Sequence, residues 1–232
     1  MNILVRSIAR TLFSERTKTA VKFDLLRLRT RMFGTRGIQI PRSPRMHLGS
    51  GYRRLAGWVN VDMMGADINI DMTARPFPFQ DNVFEAVVSQ HLIEHLDFES
   101  EVLPVFREVF RVLKPGGELW LSTPDMAKIC HQYMADGGAT LHKYILERDP
   151  RSLPQDALPS FAVNTMFFQR GLHKNLLDFA LLEWILKKCG FAAITRVTEN
   201  DLLARFPDFP PRNDDFEALS IRCNKPVISP TP

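Results

Sequence analysis

The sequence predicts an α/β fold, a parallel sheet with helices on both faces. Three observations predict it. Short apolar runs of strand length recur at 46–48, 58–61, 84–89 and 118–122. Between the later runs lies a stretch of helical period, 98–113, with Val102, Phe106, Val109, Phe110 and Leu113 spaced three and four apart. Breakers close that unit at Lys114-Pro115-Gly116-Gly117. Strand–helix–strand repetition builds a parallel sheet, because parallel neighbours need a crossover and the crossover covers a face.

The chain is organised around 46–62, MHLGSGYRRLAGWVNVD. Met46 to Leu48 runs into Gly49-Ser50-Gly51, and Trp58 to Val61 ends on Asp62. Two glycines flanking a serine let the backbone turn sharply after a strand and approach a ligand closely. A carboxylate at the tip of the next strand can accept hydrogen bonds from two ribose hydroxyls. A dinucleotide loop wants a third glycine where Arg54 stands. The step from Gly51 to Asp62 is also short for a full crossover helix. A ligand with a ribose and no phosphates fits this layout better than a pyrophosphate cofactor.

Taken in order, residues 1–44 are a basic helical arm and linker. Over 1–32, Ile3, Leu4, Ile8, Leu12, Val21, Leu25 and Leu28 recur at helical intervals among Arg and Lys. Gly34, Gly37, Pro41 and Pro44 mark the linker. The domain proper spans 45–225. After Asp62 comes Ile68 to Asp71, a short strand again ending on an acid. Pro76, Pro78 and Asp81-Asn82 turn the chain into the buried-type strand Phe84 to Ser89, followed by QHLIEHL at 90–96. Pro104 inside 98–113 predicts a kink or a late start. Glu118 to Ser122 is the next strand. Residues 126–172, with Gly137-Gly138, Pro150, Pro154 and Pro159, read as an irregular insertion over the ligand edge. Asn175 to Cys189 is a helix stopped by Gly190. Ala192 to Val197 is a strand, Pro207 to Pro211 a loop, Phe216 to Arg222 the last strand, and 226–232 a tail.

Composition bounds the class. A length of 232 residues suits one α/β domain with an appendage, and 45% hydrophobic with 24% charged residues is ordinary for a globular protein. No apolar run is long enough to span a bilayer. Cys130, Cys189 and Cys223 are odd in number and lack metal-ligand spacing, which points to a reducing compartment such as the cytoplasm. The net charge of +4 is uneven: residues 1–45 carry eleven Lys and Arg against Glu15 and Asp24, and the rest is mildly acidic. An acidic body argues against a broad nucleic-acid face.

The ordered set HLGSG at 47–51, GWVNVD at 57–62, PFPFQDNVFEAVVSQHLIEHL at 76–96, FREVFRVLKPGGELWLSTPD at 106–125 and LLEWILKKCGF at 181–191 resembles a class I S-adenosylmethionine-dependent methyltransferase. It is similar in particular to a branch found among surface-polysaccharide and cell-envelope biosynthesis proteins. The resemblance covers about 45–223 and implies a Rossmann-like, seven-stranded, mostly parallel sheet whose last strand runs antiparallel. It implies that Gly49, Ser50 and Gly51 approach the methionine part of the cofactor and that Asp62 binds its ribose. Asp71 and Met72 would lie by the adenine, and Gln90 and His91 near the sulfonium. The family's acid two residues before the first glycine is here His47, at the cofactor's amino end, and its Phe-Asp in the fourth strand is Phe84-Glu85.

Methyl transfer is a displacement at a carbon that the sulfonium already activates, so the protein mainly aligns donor and acceptor. A hydroxyl acceptor also gains from a base. On a helical turn, His91, Glu94 and His95 fall at i, i+3 and i+4 on one face. They are the candidate catalytic residues, beside a reading in which Glu94 and His95 only cap and orient the turn. Metal is not expected; the alternative is a divalent ion on His91, Glu94 and His95. Ubiquinone-pathway and small-RNA O-methyltransferases hold one on Glu-x-x-Glu-His here, and a fourth ligand would come from the insertion or His173.

No Asn-Pro-Pro-Tyr follows the fourth strand, and no cysteine sits there or in STPD, which disfavours nucleobase methylation. Tyr52, Tyr133 and Tyr144 lack the lysine four residues on that a nicotinamide-dependent sugar dehydrogenase would need. The expected function is methyl transfer to a hydroxyl of a small molecule or glycan precursor. The alternatives are a non-catalytic scaffold of the same fold and, behind it, an RNA methyltransferase. The arm has three readings: a helix packed on its own domain, peripheral attachment to anionic lipid at the membrane's cytoplasmic face, and last a transit peptide.

Overall fold

The computed structural model describes residues 14–33, 42–73, 76–154 and 156–227. The first part of the arm (1–13), the linker residues Gly34, Gly37 and Pro41, and the end of the tail lie outside them. Helix α1 (Glu15–Phe33) opens the described chain. Seven strands follow: β1 (Arg45–Leu48), β2 (Val59–Asp62), β3 (Ile68–Asn69), β4 (Phe84–Gln90), β5 (Leu113–Pro124), β6 (Ala192–Val197) and β7 (Ala218–Asn224). They form one sheet in the order β3-β2-β1-β4-β5-β7-β6. The first five are parallel, and β7 runs antiparallel to both β5 and β6. This is the Rossmann-like α/β architecture that the sequence predicts.

The central strands are apolar on both sides, as a sheet covered on both faces requires. In β4, Val87 joins the larger core, while Ala86 and Val88 face the other way. The larger core is closed by α2 (Leu103–Val112), with Val105, Phe106 and Val109, and by α6 (Phe179–Lys188), with Leu182, Ile185 and Leu186. The opposite face packs Trp58 and Trp120 against Leu202, Phe206 and Phe209, from α7 (Glu199–Arg205) and the loop after it. Gly190 takes φ +95° after α6, and a Cβ there would meet the Phe110 ring at 3.0 Å, so the stop is also a close approach.

Several boundaries differ from expectation. The stretch 98–113 is not one helix: a π-type turn, Phe98–Val102, precedes α2, and Pro104 falls in the first turn of α2, where its missing N–H costs no intrahelical bond. Residues 126–172 are not irregular. They form α3 (Met126–Asp136), α4 (Ala139–Arg148) and α5 (Pro159–Phe168), with a small core of Ile129, Leu141, Ile145, Leu153, Ala162 and Val163. Their glycines and prolines mark helix ends. Gly137 and Gly138 take φ +68° and +87° at the joint between α3 and α4, and Pro159 opens α5.

Helix α6 starts at Phe179, after the Asp178 side chain accepts from Leu181 N at 2.8 Å. Helix α7, to which the sequence reading assigns no element, starts on a capping box of Thr198 and Asp201. The last strand sits two residues later than expected, at Ala218–Asn224.

The arm is not separate from the domain. Phe23, Leu26, Arg27 and Thr30 form its half-buried inner face. Arg27 reaches Glu101 at 2.9 Å and lies 3.6 Å from Asp71. Among the described residues, no helix is long and apolar enough to cross a membrane.

Phe106 is buried in the larger core. Phe106→Ala is expected to cost about 3–5 kcal/mol, the range for emptying a buried aromatic site. Asp178→Ala removes only a helix cap and is expected to cost about 1 kcal/mol. Urea unfolding of both variants checks the contrast.

Candidate functional site

The parallel register brings the carboxyl ends of four strands to one edge. Leu48 lies beside Val61 and Ser89, and Asp62 beside Asn69. Sheet order reverses direction at β1 and β4, the switch point where open α/β sheets bind ligands. The glycine turn sits there. Gly49 N and Ser50 N donate to the Val61 carbonyl at 2.8 and 3.2 Å, and Gly51 N donates to Asp62 Oδ2 at 2.7 Å. Gly49 and Gly51 have φ +75° and +53°, a region that side chains disfavour. A Cβ on Gly49 would press on Leu92, whereas the space beside Gly51 is open.

Asp62 therefore fastens the turn from the neighbouring strand; its Oδ1 also accepts from Met63 N at 2.5 Å. Asp71, buried, accepts from Thr73 N and Oγ1 on one oxygen, and its other oxygen has no hydrogen bond and faces Arg27. Met72 is a core residue. Ser50 Oγ, Gln90 Oε1 and His47 Nδ1 are buried without a partner. Partnerless polar atoms at this edge, together with the open side of Gly51, fit a polar ligand, because such atoms are costly to bury unmatched.

His47 differs in charge from the acid of the family pattern. Burial pushes its pKa down to about 4, and the cations Arg53 and Arg212 push the same way. The imidazole is neutral and packs edge-on against Phe209.

His91, Glu94 and His95 do not share one helical face. His91 has φ +52° and precedes a short 3-10 turn, Ile93–His95. Its Nε2 lies 2.8 Å from Asp214 Oδ2 and its Nδ1 3.3 Å from Glu94 Oε1. Burial alone would lower its pKa, but the two carboxylates reverse that and raise it. Burial alone would raise Asp214, yet His91 and Arg212 hold it down to about 2. Asp214 occupies Nε2 and Glu94 lies beside Nδ1, so both nitrogens of His91 face carboxylates.

His95 turns the other way, toward His173, with ring centroids 5.0 Å apart. Glu94 lies between the two groups, buried, and also accepts from Thr123 Oγ1 at 3.3 Å. Burial lowers the pKa of His173.

The sequence reading missed the carboxylates and cations of the loop before β7. Arg212 Nε donates to Asp214 at 2.9 Å, and Glu199 accepts from the amides of Arg212 and Asn213. The inserted helices tie to the same loop through Arg148–Glu217 at 2.8 Å, through Lys128 on the carbonyls of Asp215 and Ala218, and through Tyr144 on the Asn213 carbonyl. No local pattern in RNDDFE marks these roles; the charge run in a loop was the sole signal.

Residues 49–121 match a family model described as a methyltransferase domain. A ubiquinone/menaquinone biosynthesis C-methyltransferase from Desulfotalea psychrophila is 48% identical over 56 residues, which are 24% of this chain and 22% of that protein's length. Among solved structures, the chain is similar to an S-adenosylmethionine-dependent methyltransferase, possible histamine N-methyltransferase, of Thermotoga maritima. That match has 13% identity, covers 90% of this chain and 95% of that one, and has a TM-score of 0.46. A methyltransferase from Mesorhizobium loti is 20% identical, with coverages of 82% and 94% and a TM-score of 0.45. The family match spans the glycine turn, Asp62, Asp71 and Gln90 and agrees with the methyltransferase resemblance over those residues; it does not bear on the cell-envelope branch.

Asp214→Asn is expected to destabilise the fold by roughly 3–5 kcal/mol, because it removes the buried carboxylate that His91 and Arg212 share. His91 has a raised folded pKa, so its contribution is full below its ordinary 6.5 and is lost as pH rises through the raised value. The Asp214 contribution is full above 3.8 and is lost as pH falls toward about 2. In urea unfolding, the gap between wild type and variant is expected to be widest between these limits and to shrink at alkaline pH.

Proposed function

We propose that the chain, whose residues 49–121 match a methyltransferase domain model, uses S-adenosylmethionine to methylate a hydroxyl of a small molecule or glycan precursor. The observation that carries the reading is the glycine turn fastened to Asp62 at the switch point. A carboxylate offers about four acceptor positions, so Asp62 can hold the Gly51 amide and still accept from ribose hydroxyls. The open space at Gly51 suits the methionine end. When bound, the cofactor supplies a sulfonium-activated methyl. A neutral His47 leaves the amino end to hydrogen bonding rather than to an ion pair.

A hydroxyl acceptor must lose a proton. After β4, Glu94, His95 and His173 stand together, while His91 turns to Asp214. The inserted helices α3–α5 cover the loop before β7 and would shape the acceptor pocket. The acidic body and the missing base-methylation motifs support a non-nucleic-acid acceptor. A carbon acceptor is the second reading, favoured by the 56-residue likeness to a C-methyltransferase.

The outer face of α1 supports contact with an anionic membrane. Val21, Leu25, Leu28 and Met32 are all exposed, at 48–64%, and follow one another at four, three and four residues. Exposed Lys22 and Arg29 flank that stripe. An apolar stripe bordered by cations is the composition of an interfacial helix.

Two measurements check these readings. Titration calorimetry should show heat with S-adenosylmethionine and with its demethylated product. Asp62→Ala should weaken binding by about 1.5–3 kcal/mol at unchanged circular dichroism, the range for a charge-assisted hydrogen bond. No heat with either ligand, for folded wild type, removes the proposal. Vesicles of anionic lipid should sediment the full chain at low salt and release much of it at high salt, because surface attraction decays over roughly 8 Å at physiological ionic strength. Changing Val21, Leu25, Leu28 and Met32 to Ser should abolish sedimentation and leave cofactor heat unchanged.

A further inference from the structure

We propose that His47, Ser50 and Arg53 form a pocket for a carboxylate at the foot of the glycine turn. The carboxylate is that of the cofactor's methionine end or one carried by the acceptor. The proposal rests on the methyl-transfer reading for that choice of source, not for the pocket. The family pattern puts an acid where His47 stands, and an acid there would repel a carboxylate.

The loop after α7 assembles the pocket. Phe209 packs edge-on against His47, with ring centroids 4.8 Å apart. The next two residues, Pro210 and Pro211, accept from Arg53 Nη2 at 2.7 and 3.3 Å. Within the turn, Arg53 N donates to the Ser50 carbonyl at 2.9 Å. These contacts tie residues 47, 50 and 53 to one short loop, in which Arg212 comes next.

The charge of the pocket is uncompensated. Carbonyls hold the Arg53 guanidinium, and among the described residues it has no salt bridge. The acids of the same region are engaged elsewhere. Asp214 meets His91 and Arg212, and Glu199 accepts from the amides of Arg212 and Asn213. Burial, then the charge of Arg212, holds the Arg53 pKa below the ordinary arginine value. Both arginines also act on the neutral His47. Two cations around a neutral imidazole make a positive field that calls for an anion. That field draws in a carboxylate and turns away the ammonium and the sulfonium of the cofactor.

The hydrogen-bonding groups fit the same ligand. Arg53 Nε, His47 Nδ1 and Ser50 Oγ are buried without a partner. His47 and Ser50 are each 2% exposed. Buried polar atoms are ordinarily matched, so three unmatched ones in one turn mark a place for a ligand. A guanidinium, an imidazole N–H and a hydroxyl are all donors, and a carboxylate offers about four acceptor positions and no donor. The planar arginine fork suits a carboxylate best of all, because two parallel bonds fix its orientation. Arg53 is half-buried and the space beside Gly51 is open, which leaves an approach.

The test titrates the full chain with S-adenosylhomocysteine and with its decarboxylated analogue, which keeps the amine. Wild type should bind the parent compound at least about tenfold more tightly, the loss expected for a charge-assisted hydrogen bond. Arg53→Met should bind the two alike. Arg53→Lys, which keeps the charge without the planar fork, should fall between. Arg54→Ala, at the exposed arginine that pairs with Asp67, should keep the wild-type preference. Circular dichroism confirms that the variants are folded. If wild type shows no preference, acetate is titrated into protein saturated with S-adenosylhomocysteine. Saturable shifts of the His47 ring signals in nuclear magnetic resonance, lost in the Arg53 variants, then assign the carboxylate to the acceptor. A preference that survives undiminished in every folded Arg53 variant overturns the proposal, and so does no preference together with no acetate shift. Folded wild type that binds neither nucleoside removes the methyl-transfer reading, and the acetate titration without nucleoside still decides the pocket.

Discussion

The hydrogen bond from Gly51 N to Asp62 Oδ2 is the contact on which the ligand edge depends. It joins the loop after β1 to the tip of the neighbouring β2, beside the switch point between β1 and β4. The Val61 carbonyl takes two further amides of the same turn. With its donors spent on β2, the turn cannot continue as strand or wind into a helix. It stays open beside Gly51, and Gly49 is pressed against Leu92 from the β4 side. Closeness to β4 is what puts the turn within one crevice of Gln90 and His91. The backbone shape is affordable only because both flanking residues are glycines at positive φ.

A second constraint closes the same edge from the far end of the sheet. The His91 ring lies between Glu94 and Asp214, residues 120 apart in the chain. The positive φ of His91 is a strained choice for a residue with a side chain, and two buried ion contacts hold it there. Asp214 belongs to the loop that Arg148, Lys128 and Tyr144 bind from the inserted helices. The insertion is thus anchored to the loop that orients His91. Packing of α3–α5 and the electrostatics of the post-β4 turn are two ends of one network.

Helix α1 serves two surfaces with opposite demands. Its inner face sends Arg27 to Asp71 and Glu101, and Lys174 shares Glu101 from beside the histidine pair. Its outer face leaves four large apolar side chains in water. The excess positive charge near the amino terminus is divided accordingly: part compensates the domain, and part remains outside.

By itself, the sequence determined the strand–helix order, the glycine turn, Asp62 and the neighbouring acids. These are written in local chemistry: period-2 and period-3.6 apolar spacing, glycine conformational freedom, and an acid placed at a strand end. It misjudged 126–172, because glycine and proline announce a helix end as readily as a loop, and local signals do not separate the two. It grouped His91 with Glu94 and His95, because spacing of three and four implies one face only if the segment is a regular helix. The tertiary structure decided otherwise. Asp214, arriving from the loop before β7, drew His91 into a buried ion pair. His173, arriving from beyond the insertion, paired with His95. Both partners are distant in sequence, and a charge finds its partner by proximity in space. Which partner each histidine meets was therefore decided only when the sheet brought those loops together.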